Sequence, residues 1–278
     1  MCCESNITME KPEWLDRTVV TNDGSELSTK GSKQGDYWLH CSFDIFGFSY
    51  RCLEITDITE GEKLSRYMVK PGDIVLADRV YGTIKGMEHM LSGGGDFILR
   101  YRTKAFNVYG KDGKKLDLRK YFQGLKPMES LSVHGFYYSE GKKRPVRIVA
   151  MLKDEAAALK AQRKMTRKMQ KQRGTKPSDE ALEMNRYIVL ATSLDYSEER
   201  ILELYRARWQ IEQVFFRLKE LFAFGDVPSK NEESVKAWFY GKLFLAVLCE
   251  TILKRECFSP KDENLMHALG FVKPVESA

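Results

Sequence analysis

Four side chains in the stretch ELYRARWQIEQVFFRLKELF, residues 203–222, have types and spacing that could do chemistry: Tyr205, Arg208, Glu212 and Lys219. At about 100° per residue they share an arc of roughly 60° on one helix, extending over about four turns. An acid held between an arginine and a lysine suits a place where a metal ion and a phosphate meet. The carboxylate would bind the cation while the bases neutralise phosphate oxygens. The plainer reading is a surface helix carrying an i,i+4 Arg–Glu pair, and the segment alone leaves both open. Leu204, Ile211, Phe215, Leu218 and Phe222 lie beside the arc as an apolar stripe that would pack on a sheet, so the charged row borders the core.

A chemistry of this kind needs further carboxylates, and strands would have to deliver them. The run GDIVLADRVYG is continuously apolar and ends in charge at Asp78, which predicts a buried strand with a carboxylate at its tip; Asp73 begins the same strand. DRTVVTND reads as a short strand ending at Asp23, followed by a polar loop, although NDG by itself marks a turn. YWLHCSFDIFGF and SYRCLEITDI predict an antiparallel pair, EGEKLSRYMV has helical spacing, TIKGMEHMLSGGG reads as a helix closed by glycine, and DFILRYR as another strand. From about Phe106 to Asn185 the texture changes: FNVYGKDGKKLDL and ESLSVHGFYYSEGKKRPVRIVAML suggest twisted strands, and DEAAALKAQRKMTRKMQKQRGTKP a basic helix. RYIVLATSL resumes buried-strand texture. The expectation is one α/β domain interrupted by an insertion of roughly 80 residues.

Composition sets outer bounds. The chain has 278 residues, 43% of them hydrophobic and 12% aromatic, enough for a substantial core. Lys and Arg number 45 against 39 acids, a net charge of +6 that permits a polyanionic partner. The six cysteines, Cys2, Cys3, Cys41, Cys52, Cys249 and Cys257, form no C-x-x-C pair and have no histidine at ligand spacing, which argues against zinc and for free thiols in a reducing compartment. The N-terminus lacks the basic start and apolar run of a secretory signal. WFYGKLFLAVLCETIL, interrupted by Lys242 and Glu250, falls short of the roughly 20 residues of a membrane span and reads as a core helix. LSGGGDF carries no Walker lysine, and His40, His89, His134 and His267 have no metal spacing.

The spacing Tyr205-x2-Arg208-x3-Glu212-x6-Lys219, within YRARWQIEQVFFRLK, resembles the Y-R-E-K signature of bacterial DDE transposases of the insertion-sequence-four family. VVTNDGSELSTKG is similar to that family's segment with the first Asp, DIVLADRVYG to its segment with the second, and the resemblance covers about Thr18 to Leu253. It implies a ribonuclease-H-like mixed sheet flanked by helices, with residues 1–105 and 186–278 as the two parts of the core and 106–185 as a β-rich insertion with a basic helix. It implies Asp23, Asp78 and Glu212 as a DDE triad holding two Mg²⁺ ions, with Mn²⁺ as substitute, for DNA cleavage and strand transfer. Asp44, Asp57 and Glu54 compete with Asp23 for the first position and rank below it. Tyr205, Arg208, Lys219 and Arg79 would hold DNA, and Trp209 could stack on an unpaired base. Arg163, Lys164, Arg167 and Lys168 belong to the acid-free segment Lys160–Lys176, either a solvated face or a phosphate-tracking arm.

The partners implied are double-stranded DNA at terminal inverted repeats, target DNA and a second copy in a homodimeric synaptic complex, with no membrane; the location implied is the bacterial cytoplasm, at the nucleoid. Only 22 residues precede Asp23, where the family usually carries a helical DNA-binding region, so a truncated or repurposed DNA-binding relic is the alternative expectation. A nuclease of the same fold acting on RNA–DNA hybrids is disfavoured by the signature and the long insertion.

Overall fold

Three antiparallel strands open the fold: β1 (Val19–Leu27), β2 (Tyr37–Asp44) and β3 (Ser49–Asp57). The computed structural model describes residues 11–29, 32, 35–102, 105–224, 227 and 231–256, so Cys2, Cys3, Cys257 and His267 lie outside the described residues. The strand does not end at Asp23. β1 runs on through the NDG sequence, with Asn22, Asp23 and Gly24 opposite Ser42, Cys41 and His40. Continuous ladder pairing on both sides of these residues outweighs their local turn preference.

After β3 come β4 (Ile74–Ala77), buried throughout, α1 (Ile84–Ser92), capped by the Thr83 hydroxyl on Gly86 N, and β5 (Asp96–Arg100). EGEKLSRYMV yields only a 3₁₀ turn at Leu64–Arg66. Lys63 provides no side-chain cap there, and so short a segment does not repay helix nucleation. Next stand α2 (Leu118–Phe122), β6 (Ser130–Ser139), β7 (Lys142–Leu152), α3 (Glu155–Arg173), α4 (Asp179–Met184) and β8 (Tyr187–Thr192). FNVYGKDGKKLDL makes isolated bridges of Tyr109 to Lys115 and to Phe136 instead of a regular strand. The strand order is β3-β2-β1-β4-β5-β8-β7-β6, an eight-stranded mixed sheet flanked by helices, the α/β architecture of the ribonuclease-H-like kind.

The chain divides into two compact units, Met1–Leu76 with Arg206–Ala278, and Ala77–Tyr205. In the first, Leu27, Leu39, Phe43 and Ile55 of the sheet meet Ile211, Val214, Phe215 and Leu218 of the signature segment and Val235, Phe239, Leu243 and Ala246 of α7 (Glu232–Glu256). The stripe read from the sequence thus faces a core, each large side chain contributing about 1.5–3 kcal/mol by its burial. α7 is a core helix on that side alone: Tyr240, Phe244, Leu248 and Ile252 are exposed. In the second unit, Phe97, Ile98 and Leu99 of β5, Ile148, Val149 and Ala150 of β7, and Leu190 and Ala191 of β8 are fully or almost fully buried. Among the described residues no helix is long and apolar enough to cross a membrane.

The signature segment is not one continuous helix. α5 (Glu198–Ala207) is followed by a break at Arg208 and Trp209, then α6 (Gln210–Phe216), then a π-helical turn, Arg217–Leu221. Tight i→i+3 bonds make the break: Trp209 N to Arg206 O, Ile211 N to Arg208 O and Glu212 N to Trp209 O, at 3.0–3.2 Å. A short 3₁₀ passage inside a helix is a common mark of a functional bend.

Candidate active site

Asp23 stands in the middle of β1 with its side chain 20% exposed. Its Oδ1 accepts the Gly24 N–H at 2.9 Å, and its carbonyl accepts the Tyr67 hydroxyl at 3.0 Å. Its Oδ2 faces Arg208 Nη1 at 3.4 Å, across 185 positions of sequence. The same guanidinium donates through Nη2 to Glu212 Oε1 at 2.8 Å. One planar fork therefore holds two carboxylates, one on a strand and one in the first turn of α6, where the helix dipole favours an acid. Arg208 itself is 16% exposed and Glu212 51%, so the cluster has a sheltered side at β1 and an open side at α6.

Lys219, seven residues beyond Glu212, donates from Nζ to the carbonyl of Glu26 at 3.0 Å, on the same strand as Asp23. Burial lowers its pKa, with Glu26 and Glu220 opposing. Trp209 is 44% exposed and Tyr205, on α5, partly so.

In the second unit Asp78 is the residue immediately after β4. Its Oδ1 accepts the Val80 N–H at 3.0 Å, which turns the chain sharply off the strand; Asp78 is partly exposed and Arg79 exposed. The competing acids have other partners. Asp73 is buried against Arg51 at 2.7 Å and the Lys70 N–H at 2.8 Å, Asp44 accepts the Gly47 N–H, Asp57 the Thr59 N–H, and Glu54 pairs with Arg66 at 2.7 Å. The bases of α3 form one face: Lys160, Arg163, Lys164, Arg167, Lys168 and Lys171 are all exposed at helical spacing.

Residues 14–248 match the family described as the transposase DDE domain. The chain belongs to this family. A transposase for insertion sequence element IS421 of Escherichia coli is 28% identical over 242 residues, covering 84% of this chain and 65% of that protein. Transposases for IS231F and IS231E, from Bacillus thuringiensis subspecies israelensis and finitimus, are 25% identical over 254 residues and 26% over 255, covering 84% of this chain and 53% and 52% of theirs. The chain thus spans less than two thirds of the length of these DDE relatives.

The carboxylates of Asp23 and Glu212 are hard oxygen donors of the kind a divalent cation takes, and the Arg208 guanidinium bridges them. The residues fit such an ion. Among the described residues, though, no three His, Cys, Asp or Glu side chains stand together as a ready metal cage.

Several residues at or near these positions escaped the sequence reading. Glu62 is one, its carboxylate so close over Gly24 that a Cβ there would lie 2.8 Å from Oε1. Lys153 is another: it donates to Asn185 O at 2.6 Å, and burial first, then Arg100 and Arg79, push its pKa down to about 8. The buried set Arg217, Glu250 and Tyr50 joins residues as far as 200 positions apart. No local pattern marks their contacts, since each depends on tertiary neighbours; of these residues only Glu250 stands out in the sequence, as an interruption of the apolar run 238–253.

Proposed function

We propose that this protein is the catalytic domain of a DNA transposase, cleaving DNA and transferring strands at the ends of an insertion element. Asp23, Asp78 and Glu212 are its three acids. The observation that carries the reading is the Arg208 bridge: two members of the signature, Arg208 and Glu212, meet the aspartate of β1 in one cluster. Divalent cations held by the acids, two Mg²⁺ with Mn²⁺ as substitute, would supply activation of the attacking oxygen and stabilisation of the leaving one in an in-line displacement. The chain's own residues hold and orient. Arg208 offsets the repulsion between Asp23 and Glu212, and the half-exposed Glu212 leaves its side of the cluster open to a strand of DNA. Trp209 presents an exposed ring for an unpaired base, while Tyr205, Arg79 and Lys219 contact phosphates. The partners in this reading are duplex DNA at terminal inverted repeats, the target duplex and a second copy of the chain in the synaptic complex.

The test is incubation of the protein with an end-labelled duplex bearing the inverted repeats that flank its coding sequence, with Mg²⁺ or Mn²⁺, beside Asp78→Ala. Cleavage in the wild type that is lost in Asp78→Ala is the expected result. Tight binding without any cleavage would overturn the catalytic reading.

A further inference from the structure

The signature segment ends in a π-helical turn, and the residue that opens that turn is a buried arginine. Arg217 is 3% exposed. Its Nε and Nη2 donate to Glu250 Oε1 of α7 at 3.3 and 3.2 Å, and the Tyr50 hydroxyl of β3 donates to the same oxygen at 2.8 Å. A buried ion pair of this kind is a weak source of stability, because desolvating both charges offsets most of their attraction. The arrangement is costly in other ways as well. Glu250 Oε2 is buried without a hydrogen-bond partner, and burial raises the Glu250 pKa against the opposing pull of Arg217 and Tyr50. An apolar pair would fill the same space more simply.

What the pair does produce is a fixed geometry. Phe222 N reaches back five residues to Arg217 O at 3.4 Å, the bond that defines the π turn. Lys219 lies inside this turn, and from there it donates to Glu26 O on β1. Arg208 meets Asp23 on that strand three residues earlier, about 10 Å away at strand rise. The signature segment is thus tied to β1 at two points, with Glu212 between them in sequence.

We propose that Arg217, held by Glu250 and Tyr50, is a positioning residue that sets the π turn and through it the placement of Glu212 and Lys219 along β1. This rests on the transposase reading for its effect on catalysis, but its structural content is independent of it.

The decisive variant is the double apolar replacement Arg217→Met with Glu250→Leu, which removes both buried charges and so avoids stranding one of them. Tyr50→Phe, which deletes one hydroxyl, and Arg217→Lys, which keeps the charge but loses the fork, serve as milder variants should the double one not fold. Two readouts are taken: the acetylation rate of Lys219 by acetic anhydride, followed by peptide mass spectrometry, and cleavage of the labelled inverted-repeat duplex. With a cooperative melt retained, Lys219 in the double variant should acetylate several-fold faster than Lys219 of the wild type. Cleavage should fall by about a hundredfold, the scale of a misplaced catalytic group, with duplex affinity falling no further than in Lys219→Ala. The mild variants should shift both readouts in the same direction, and less. A folded variant that keeps wild-type protection of Lys219 and wild-type turnover would overturn the positioning role. If wild-type protein cleaves nothing, the transposase reading fails by itself, and the acetylation rates still decide whether Arg217 sets the turn.

Discussion

At the scale of single residues the candidate site turns on Arg208. A guanidinium presents its donors in a rigid fork, and here one prong goes to Asp23 and the other to Glu212, so the arginine stands between the acids where a cation would draw them together. Arg208→Ala should leave the two carboxylates opposed. The Glu212 contact is too exposed to contribute much, so the expected loss in a urea melt is about 1 kcal/mol. Millimolar Mg²⁺ should then raise the melting temperature of the variant more than that of the wild type, since the ion now supplies the missing positive charge. Equal shifts in both proteins would remove Arg208 from any metal-linked role. Gly24, next to Asp23, has a different constraint. Its added Cβ would lie 2.8 Å from Glu62 Oε1 and 3.1 Å from Cγ, and because the Glu62 side chain can swing aside Gly24→Ala should destabilise by at most about 1 kcal/mol. Adding Glu62→Ala should recover most of that loss if the crowding is its cause, which a double-mutant cycle measures.

The elements show why the chain was legible in part. Buried strands and the basic helix announce themselves by local pattern: IVLA before Asp78, DFILR, and the acid-free body of α3 all fold as the sequence predicts. Asp23 does not, because NDG favours a turn and only pairing with Cys41 across the sheet keeps it in a strand. The row Arg208, Glu212 and Lys219 was readable as one face, yet the bend at Arg208 and the π turn at Arg217 depend on partners in β1, β3 and α7 that spacing cannot reveal. β2 carries a similar hidden feature in His40. It is buried, stacked on Trp38 and bonded through Nε2 to Thr56 Oγ1; burial first and Arg66 second lower its pKa to about 4, with Glu54 and Glu60 opposing. The unfolded chain takes up this proton near pH 6.5 and the folded one only near 4, so stability is full above about 6.5 and declines as the pH falls toward 4. The loss attributable to this group is at most about 3 kcal/mol. Urea melts at pH 7.5 and 4.5 should differ less in His40→Gln than in the wild type, and an unchanged difference would clear His40 of the effect.

Across the whole molecule the net charge of +6 matters less than where it gathers. α3 turns one face to its neighbours, with Ala158 buried and Gln162 Nε2 bonded to Leu182 O at 3.0 Å, and presents Lys160, Arg163, Lys164, Arg167, Lys168 and Lys171 on its exposed side. Its acids are confined to the start: Asp154 caps the helix on Ala157 N, and Glu155 lies in the first turn. A solvated face and a phosphate-tracking arm make the same structure but different salt dependences. Each phosphate neutralised on duplex DNA releases counterions, steepening the fall of log affinity with log salt by about 0.9. Replacing Arg163, Lys164, Arg167 and Lys168 by glutamine together should therefore flatten the slope by about three to four units if all four engage phosphates. These exposed positions make little contribution to folding, so the melting temperature should stay within the range of ordinary surface substitutions. Lys219→Ala supplies the comparison, because one ammonium keeps donors to spare beyond its bond to Glu26 O and its loss should lower the slope by about one. A quadruple variant that binds duplex DNA with the wild-type slope would show that α3 only keeps the protein solvated.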